Sequence, residues 1–447
     1  HLSIRRQRQM CIRDSKRPPI MMGYTTAQAG EEASGWHFGL DVKQVYDPAT
    51  TALAAVNPDF ENIEDEVESI VFTYGEKWVP DRRPFFTDGA WYGPPEYVFY
   101  SRRVPKFDVG AKTFGEVRGL TFSALNALNF GDRNDSALAA DYRLDEYQRA
   151  GFYFTGADWE GLRNRVLAGS YSHERPLSQG DLGFSANVGR SATSGAGGDA
   201  TAQTYEAWLW PNPSHVGFEL SYQEVPTEFN PVDGYVEEKG LRGWYGALRG
   251  RERYEGRWLR SWEWWGRASR MTAEGGGLHH SDFAARGDVW TRDGGFLELR
   301  YEHARRPPNV DRLWRLKGAW KEDAPLKSGA GDVMIGRLVG GDYLYAGLSQ
   351  SFQPQEDLGL RASGEYQRFR FPAGPTEDAF QGVVSAAYDI TDERSVAGRY
   401  VNSGGKHNFY VSYRQVVRRG LDAYVIVGNP NVEKTEGRLA LKLISCF

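Results

Sequence analysis

The chain has 447 residues, with 52 glycines, 14 tryptophans, 24 tyrosines and 23 phenylalanines, and a formal net charge of −5. The acidic balance argues against nucleic acid held on a basic surface. The two cysteines, Cys11 and Cys446, supply neither a disulfide framework nor a zinc site. Mean hydropathy is −0.58, and no window approaches the roughly 18 consecutive apolar residues of a transmembrane helix; a membrane β-barrel stays open, because only alternate residues of its strands face lipid.

The first stretch, His1 to Lys16, carries five Lys or Arg against one acid and lacks an apolar core. It is not a signal peptide. It resembles translated adapter sequence, so residues 1–30 are expected to be a foreign or disordered leader, and the fold to occupy residues 31–447. From Trp36 the pattern has period two: Trp36, Phe38, Leu40 and Val42 alternate with His37, Gly39, Asp41 and Lys43, which predicts a strand with one apolar and one polar face.

Residues 57–106 interrupt this alternation. They hold Asn57-Pro58-Asp59-Phe60, an acidic run with Glu61, Glu64, Asp65, Glu66 and Glu68, the block Asp81-Arg82-Arg83-Pro84-Phe85-Phe86, and Tyr97 to Arg103. A connection this long is functional, disordered or packed against something. Adjacent phenylalanines are costly to leave in water, and Pro84 fixes a turn. The segment is therefore expected to sit in a barrel lumen or across its periplasmic mouth, with Arg82 and Arg83 paired to Glu64, Asp65 or lumen carboxylates. Asn57, Asp59, Phe60, Tyr100, Arg102 and Arg103 complete its expected lumen contacts. The acidic run lacks the spacing and glycine of a calcium loop and reads as solvated or arginine-paired.

Beyond Arg103 alternation is nearly continuous. Leu297, Leu299 and Tyr301 oppose Glu298, Arg300 and Glu302; Leu360 and Ala362 oppose Arg361 and Glu365; Phe409, Val411 and Tyr413 oppose Tyr410, Ser412 and Arg414. The second face either lines a pore or forms a ladder of ion pairs, and the sequence leaves both open. Trp208-Leu209-Trp210 and Trp262-Glu263-Trp264-Trp265 lie near strand ends, where an interfacial girdle belongs. His279-His280 follows three glycines. Neighbouring strand residues point to opposite faces, so this pair reads as part of an outer loop and no metal site is expected.

The fold class is all-β: a single transmembrane antiparallel barrel of about 22 strands, within a range of about 18 to 24, with a long early segment plugging or covering the lumen. Helix is expected only as a turn or two inside that segment. The chain ends with Leu439, Leu441, Leu443 and Phe447 on one face, similar to the C-terminal strand by which outer-membrane barrels are recognised by their assembly machinery. Its environment would be the lipid bilayer of the bacterial outer membrane.

Four ordered blocks carry a family resemblance: Asn57-Pro58-Asp59-Phe60, Ile63-Glu64-Asp65-Glu66, Pro80 to Gly89, and Phe99-Tyr100-Ser101-Arg102-Arg103-Val104, with Phe229-Asn230-Pro231 and Gly234-Tyr235-Val236 further on. In these the chain resembles the outer-membrane barrel family catalogued as domain of unknown function 5916, over about residues 35–447. Thr87-Asp88 departs from the usual Leu-Glu. Members commonly carry a carbohydrate-binding module resembling family 9, which is absent from this sequence; the resemblance thus implies a glycan as ligand and suggests a fragment lacking a first strand, so that Trp36 to Val45 would either meet Leu439 to Phe447 in an imperfect closure or leave an open edge. No catalytic constellation, cofactor motif or GxSxG is present. Binding or passage of an envelope or extracellular solute is the function expected, with a barrel-associated carbohydrate hydrolase and a soluble all-β glycan-binding protein as the other readings.

Overall fold

The computed structural model describes residues 18–30, 34–47, 49–60, 67–194, 198–256, 258–372 and 374–447. The expected leader, apart from its last residues, and Glu61, Glu64, Asp65 and Glu66 lie outside the described residues. Among those described, twenty-four strands form one sheet. The first eight are β1 (Ile20–Gly30), β2 (Gly35–Asp47), β3 (Thr50–Val56), β4 (Val109–Val117), β5 (Leu120–Asn129), β6 (Arg133–Arg143), β7 (Gln148–Trp159) and β8 (Leu162–Leu177). The next eight are β9 (Gly180–Ser194), β10 (Ala200–Pro211), β11 (Val216–Val225), β12 (Leu241–Arg253), β13 (Leu259–Ala273), β14 (Leu278–Thr291), β15 (Phe296–Arg306) and β16 (Asn309–Trp320). The last are β17 (Gly329–Leu338), β18 (Gly341–Gln355), β19 (Leu358–Arg370), β20 (Thr376–Thr391), β21 (Arg394–Ser403), β22 (Lys406–Arg418), β23 (Leu421–Val427) and β24 (Arg438–Cys446).

Every strand pairs antiparallel with its neighbours in sequence, and β1 pairs with β24, so the sheet closes. The count is 24 rather than about 22. One added strand is β1, inside the region assigned to a leader. Its outward residues Gly23, Thr25 and Ala27 are small or polar, so its hydropathy carries little signal; its order comes from pairing with β2 on one side and β24 on the other. The direct meeting of Trp36 to Val45 with the C-terminal strand is thereby replaced, with Thr25 opposite both Phe38 and Leu443.

Alternation along each strand sorts the two faces. On β24 Leu439, Leu441 and Leu443 are exposed while Arg438 and Ala440 are buried; on β15 Leu297 and Leu299 are exposed while Glu298 is buried. An exterior of leucine and aromatic residues around a polar, charged interior is a membrane barrel turned toward lipid, and only closure lets every backbone group pair there. The soluble all-β alternative does not account for that exterior. No helix among the described residues is long and apolar enough to cross a membrane. The helical turns fall where expected, as α1 (Pro84–Thr87) and two 3-10 turns at Ala90–Tyr92 and Ser101–Arg103.

The aromatic assignment changes in part. The register sets Trp264 opposite Gly250 with its side chain outward, but Trp265 opposite Arg249 on the lumen side. Trp210 also faces the lumen, where the Arg249 guanidinium lies 3.8 Å from its ring. Trp208 shares that face, folded over Gly183, where a Cβ would come within 2.2 Å of the indole. Trp208, Trp210 and Trp265 therefore face the lumen rather than a girdle, the last two against arginine guanidinium groups.

The connections differ between the two mouths. On the side of the termini the longest connection is residues 321–328, whereas the opposite side carries residues 57–108, 226–240 and 428–437. Outer-membrane barrels keep short turns on the periplasmic side and longer loops outside, so the long segment enters from the outer mouth, not the periplasmic one. Because the β1–β24 seam completes the ring, Thr26→Pro, which removes a strand N–H and the hydroxyl bound to Asp59, is expected to abolish the fast-migrating folded band in unheated gel electrophoresis.

Candidate functional site

The segment 57–108 is anchored at its entry. Asn57, at the left-handed φ of 49°, donates from Nδ2 to Phe38 O at 2.6 Å, and its own carbonyl accepts from His37 Nε2 at 2.9 Å. Asp59 then reaches both strands of the seam, accepting from Thr26 Oγ1 at 3.1 Å and pairing with Lys442 Nζ at 2.9 Å. One carboxylate thus bridges β1 and β24 from inside the barrel.

Three apolar clusters follow. Phe85 and Phe86 are buried with Val104 and Phe107 against Ala55, Leu125, Ala127 and Ala137 of β3, β5 and β6, and Phe60 packs on them. Val98 is fully buried against Ala139, Tyr153, Val166 and Ala168 of β6 to β8. Ile70, Val71 and Phe72 pack against Leu338, Tyr343, Tyr345 and Phe369 of β17 to β19. Small alanines on the inner face of β5 and β6 leave the room that the phenylalanine rings fill.

Hydrogen bonds reinforce each attachment. Lys112, buried on β4, caps α1 by donating to Phe86 O at 2.9 Å and Asp88 O at 2.6 Å, and Lys43 pairs with Asp88 at 2.6 Å. On the other wall, Glu365 accepts from Ser69 Oγ at 2.9 Å and Ile70 N at 2.7 Å, Gln381 donates to Glu68 O at 2.7 Å, and Tyr74 donates to Asp311 at 2.5 Å. Strands β6 and β18, both touched by this one segment, lie half the ring apart in a sheet of twenty-four.

Arg83 is the staple within the segment rather than a partner of lumen carboxylates. Its guanidinium pairs with Asp81 at 2.7 Å, donates to Val104 O at 2.8 Å and Ser101 O at 2.5 Å, and lies 4.3 Å from the Phe86 ring centroid. Burial alone would raise the Asp81 carboxyl, but the bonds from Arg83 and Ser101 outweigh it and hold the group below its ordinary range. Pro84 begins α1. Arg82 and Arg102 are half-buried, and Arg103 pairs with Glu76.

Tyr100 links the segment to the connection between β11 and β12. Its hydroxyl donates to Val79 O at 2.6 Å, and its backbone N–H donates to Asp233 O at 2.5 Å. Gly234 packs so closely that a Cβ would sit 2.4 Å from Tyr97 O, and Tyr235 N donates to Glu96 O at 2.8 Å. Beneath this junction Arg133 binds Asp135 at 2.8 Å and Asp233 at 2.6 Å. Burial, then the neighbouring Asp135 charge, push the Asp233 carboxyl up to about 7 against the pull of Arg133. Its Oδ2 is buried without a hydrogen-bond partner. The sequence reading missed Asp233, Arg133 and Lys112; Asp233 lies between the Phe229-Asn230-Pro231 and Gly234-Tyr235-Val236 blocks, the one signal that could have found it.

Deeper in the lumen the charges form a ladder. Arg249 pairs with Glu219 at 2.7 Å, Arg286 with Asp288 at 2.9 Å, Arg300 with Glu302 at 2.6 Å, Arg315 with Asp332 at 2.5 Å and Arg414 with Asp422 at 2.8 Å. Arg361 lies exposed on the same face. At the outer mouth, Glu238, His279 and His280 bring three potential metal-ligating atoms within 4.8 Å of one another.

No family model matches the chain, and no curated protein matches it. Among solved structures it is similar to the siderophore receptor PirA from Pseudomonas aeruginosa, at 10% identity over 96% of this chain and 80% of that one, with a TM-score of 0.49. It is also similar to the siderophore receptor PiuA from Acinetobacter baumannii, at 10% identity over 97% and 82% with a TM-score of 0.46, and to the copper transporter OprC, at 9% over 96% and 80% with a TM-score of 0.46. The chain's own closed sheet, apolar exterior and charged interior make it a bacterial outer-membrane barrel.

Two measurements check the packing. Phe86→Ala is expected to cost about 3–5 kcal/mol of docking, read as faster proteolysis within residues 57–108 while the barrel band persists. Since folded Asp233 holds its proton more tightly than an unfolded carboxylate, protonation stabilises the docked connection; this contribution declines as pH rises from the carboxylate range to about 7 and is lost above it. Intrinsic-rate-corrected hydrogen exchange of residues 226–240 should therefore be slower at pH 5 than at pH 8, and Asp233→Asn should flatten the difference.

Proposed function

We propose that the barrel binds or passes a solute entering from the outer mouth, and that residues 57–108 are a plug that controls access. The observation that carries this reading is the pair of attachments on opposite walls: Phe85, Phe86 and Val98 on β5 to β8, and Ser69 to Phe72 on β17 to β19. A connection that merely turned between β3 and β4 would not cross the ring. Its bonds run from Tyr74–Asp311 at the outer mouth down to Lys43 of β2, which stands opposite Ile20, the first residue of β1, while the arginine and carboxylate ladder lies along β11 to β17 and β22 to β23.

The solute class we propose is a glycan. Lumen-facing Trp210 and Trp265 beside Arg249, Arg267 and Arg286 offer stacking faces next to hydrogen-bond donors, a combination that suits sugar rings. Membership of the unknown-function barrel family is part of the same reading. What supports it is that the blocks at 97–103 and 229–236, distant in sequence, meet through Tyr100, Asp233 and Tyr235. The outward leucines of β24 support recognition of that strand by the assembly machinery.

Planar-bilayer recording tests the plug. Deleting residues 61–96 is expected to raise single-channel conductance severalfold over the intact chain; equal conductance from two equally folded barrels would count against a plug.

A further inference from the structure

The hairpin of β13 and β14 meets the connection 226–240 at a cluster unused by the plug. The ladder there is irregular: Met271 pairs with His280 and Thr272 with Leu278, leaving His279 as an extra residue. A bulge of this kind breaks the strict alternation that would send adjacent side chains to opposite faces. The consequence is specific, because His279 Nδ1 and His280 Nδ1 lie 2.9 Å apart. Glu238 supplies a third donor, its Oε2 3.4 Å from His280 Nδ1. His280 is buried, and the other two are half-buried.

The two Nδ1 atoms are hydrogen-bonded to each other, and two of the three donor spacings, 2.9 and 3.4 Å, lie close to those of ligands on a common ion. Four ligands about 2.0–2.1 Å from a tetrahedral metal stand about 3.3 Å from one another. Two imidazoles and one carboxylate favour a borderline cation over Ca²⁺ or Mg²⁺, which prefer oxygen alone. The cluster is also held in place. Arg306 Nη1 grips the other carboxylate oxygen, Oε1, at 2.5 Å, turning Oε2 toward the ring in the manner of an outer-shell partner. Thr227 donates from N and Oγ1 to Glu274 Oε2 at 3.0 and 2.8 Å, and Glu274 N donates to Gly240 O at 2.9 Å. Both ends of the connection bearing Glu238 are thus fastened to the hairpin bearing the histidines.

We propose that Glu238, His279 and His280 form a site for a borderline divalent cation of the Zn²⁺ type at the outer mouth. Nδ1 of each histidine and Oε2 of Glu238 are the ligands, each imidazole keeping its proton on Nε2, and the remaining coordination position is available to water or to an oxygen or nitrogen of an incoming solute. The guanidinium of Arg306 also lies 4.5 Å from the Tyr74 ring centroid, so the site adjoins the 57–108 segment. Its existence does not depend on that segment being a plug.

The test uses the full chain, folded in detergent, without a histidine tag and stripped with chelator. Titration with Co²⁺ should develop the visible bands of a low-coordinate site at one equivalent, and Zn²⁺ should displace them. Glu238→Gln and His280→Ala should each weaken binding by more than the about 10- to 100-fold that loss of an outer-shell partner costs. His407→Ala, at the Tyr400 contact on another hairpin, should leave it unchanged. Heat-modifiability on gels separates a lost ligand from a lost fold, and Glu238, lying on a connection, keeps the test valid if a strand variant fails to fold. Absence of saturable Co²⁺ or Zn²⁺ binding to the folded wild-type chain, or binding equally tight in a folded His279→Ala/His280→Ala variant, would overturn the site.

Discussion

In a bilayer core a backbone N–H or C=O without a partner has no water to turn to, and the whole architecture depends on removing the last such edge. The β1–β24 seam does this, and Asp59 ties it from within by holding Thr26 of one strand and Lys442 of the other. The same residue starts the segment that crosses to the opposite wall. Closure and entry of the segment are therefore mechanically joined at a single carboxylate, and the ring offers fixed walls against which the phenylalanines can pack.

Filling a lumen this wide takes two kinds of chemistry. Near the outer mouth the inner faces of β5 to β8 carry alanine, valine and tyrosine, and the segment brings aromatic rings to them. Farther toward the periplasm the inner faces carry arginine and carboxylate pairs, some within one strand, as Arg286–Asp288 and Arg300–Glu302, and some across neighbouring strands, as Arg249–Glu219 and Arg315–Asp332. A fully buried pair gains little net stability over apolar packing and costs about 3–5 kcal/mol when one member is left alone; these pairs are half-buried and cost less to break. In the ladder Arg300 and Arg414 are paired, Glu365 is held by the segment, and Arg361 stays exposed on the same face, which is why the lumen there remains polar.

The outer mouth is where connections interlock. Residues 226–240 touch the 57–108 segment through Asp233 and Tyr235 and touch the β13–β14 hairpin through Thr227 and Glu238. Arg133 and Arg306 each sit under one of these junctions, the first between two carboxylates and the second between Glu238 and the Tyr74 ring. A solute arriving from outside would meet these groups before it met the ladder.

The sequence by itself determined the class of fold, because period-two alternation with glycine turns admits little else, and it marked residues 57–106 as the exception to the repeat. It also identified Phe85 and Phe86 as buried, since their cost in water is a property of the residues alone. It could not find β1, whose outward residues are small and whose order comes from two neighbouring strands. Arg83 was legible as an anchor but not its partner Asp81, two residues away, because the choice among nearby carboxylates depends on the turn that Pro84 and the Ser101 and Val104 carbonyls impose. Trp208 and Trp210 were assigned to a girdle because strand ends favour one, yet register turned them inward. The histidine pair shows the same limit most sharply: alternation predicts opposite faces, and only a bulge set by pairing across the hairpin brings the two rings together.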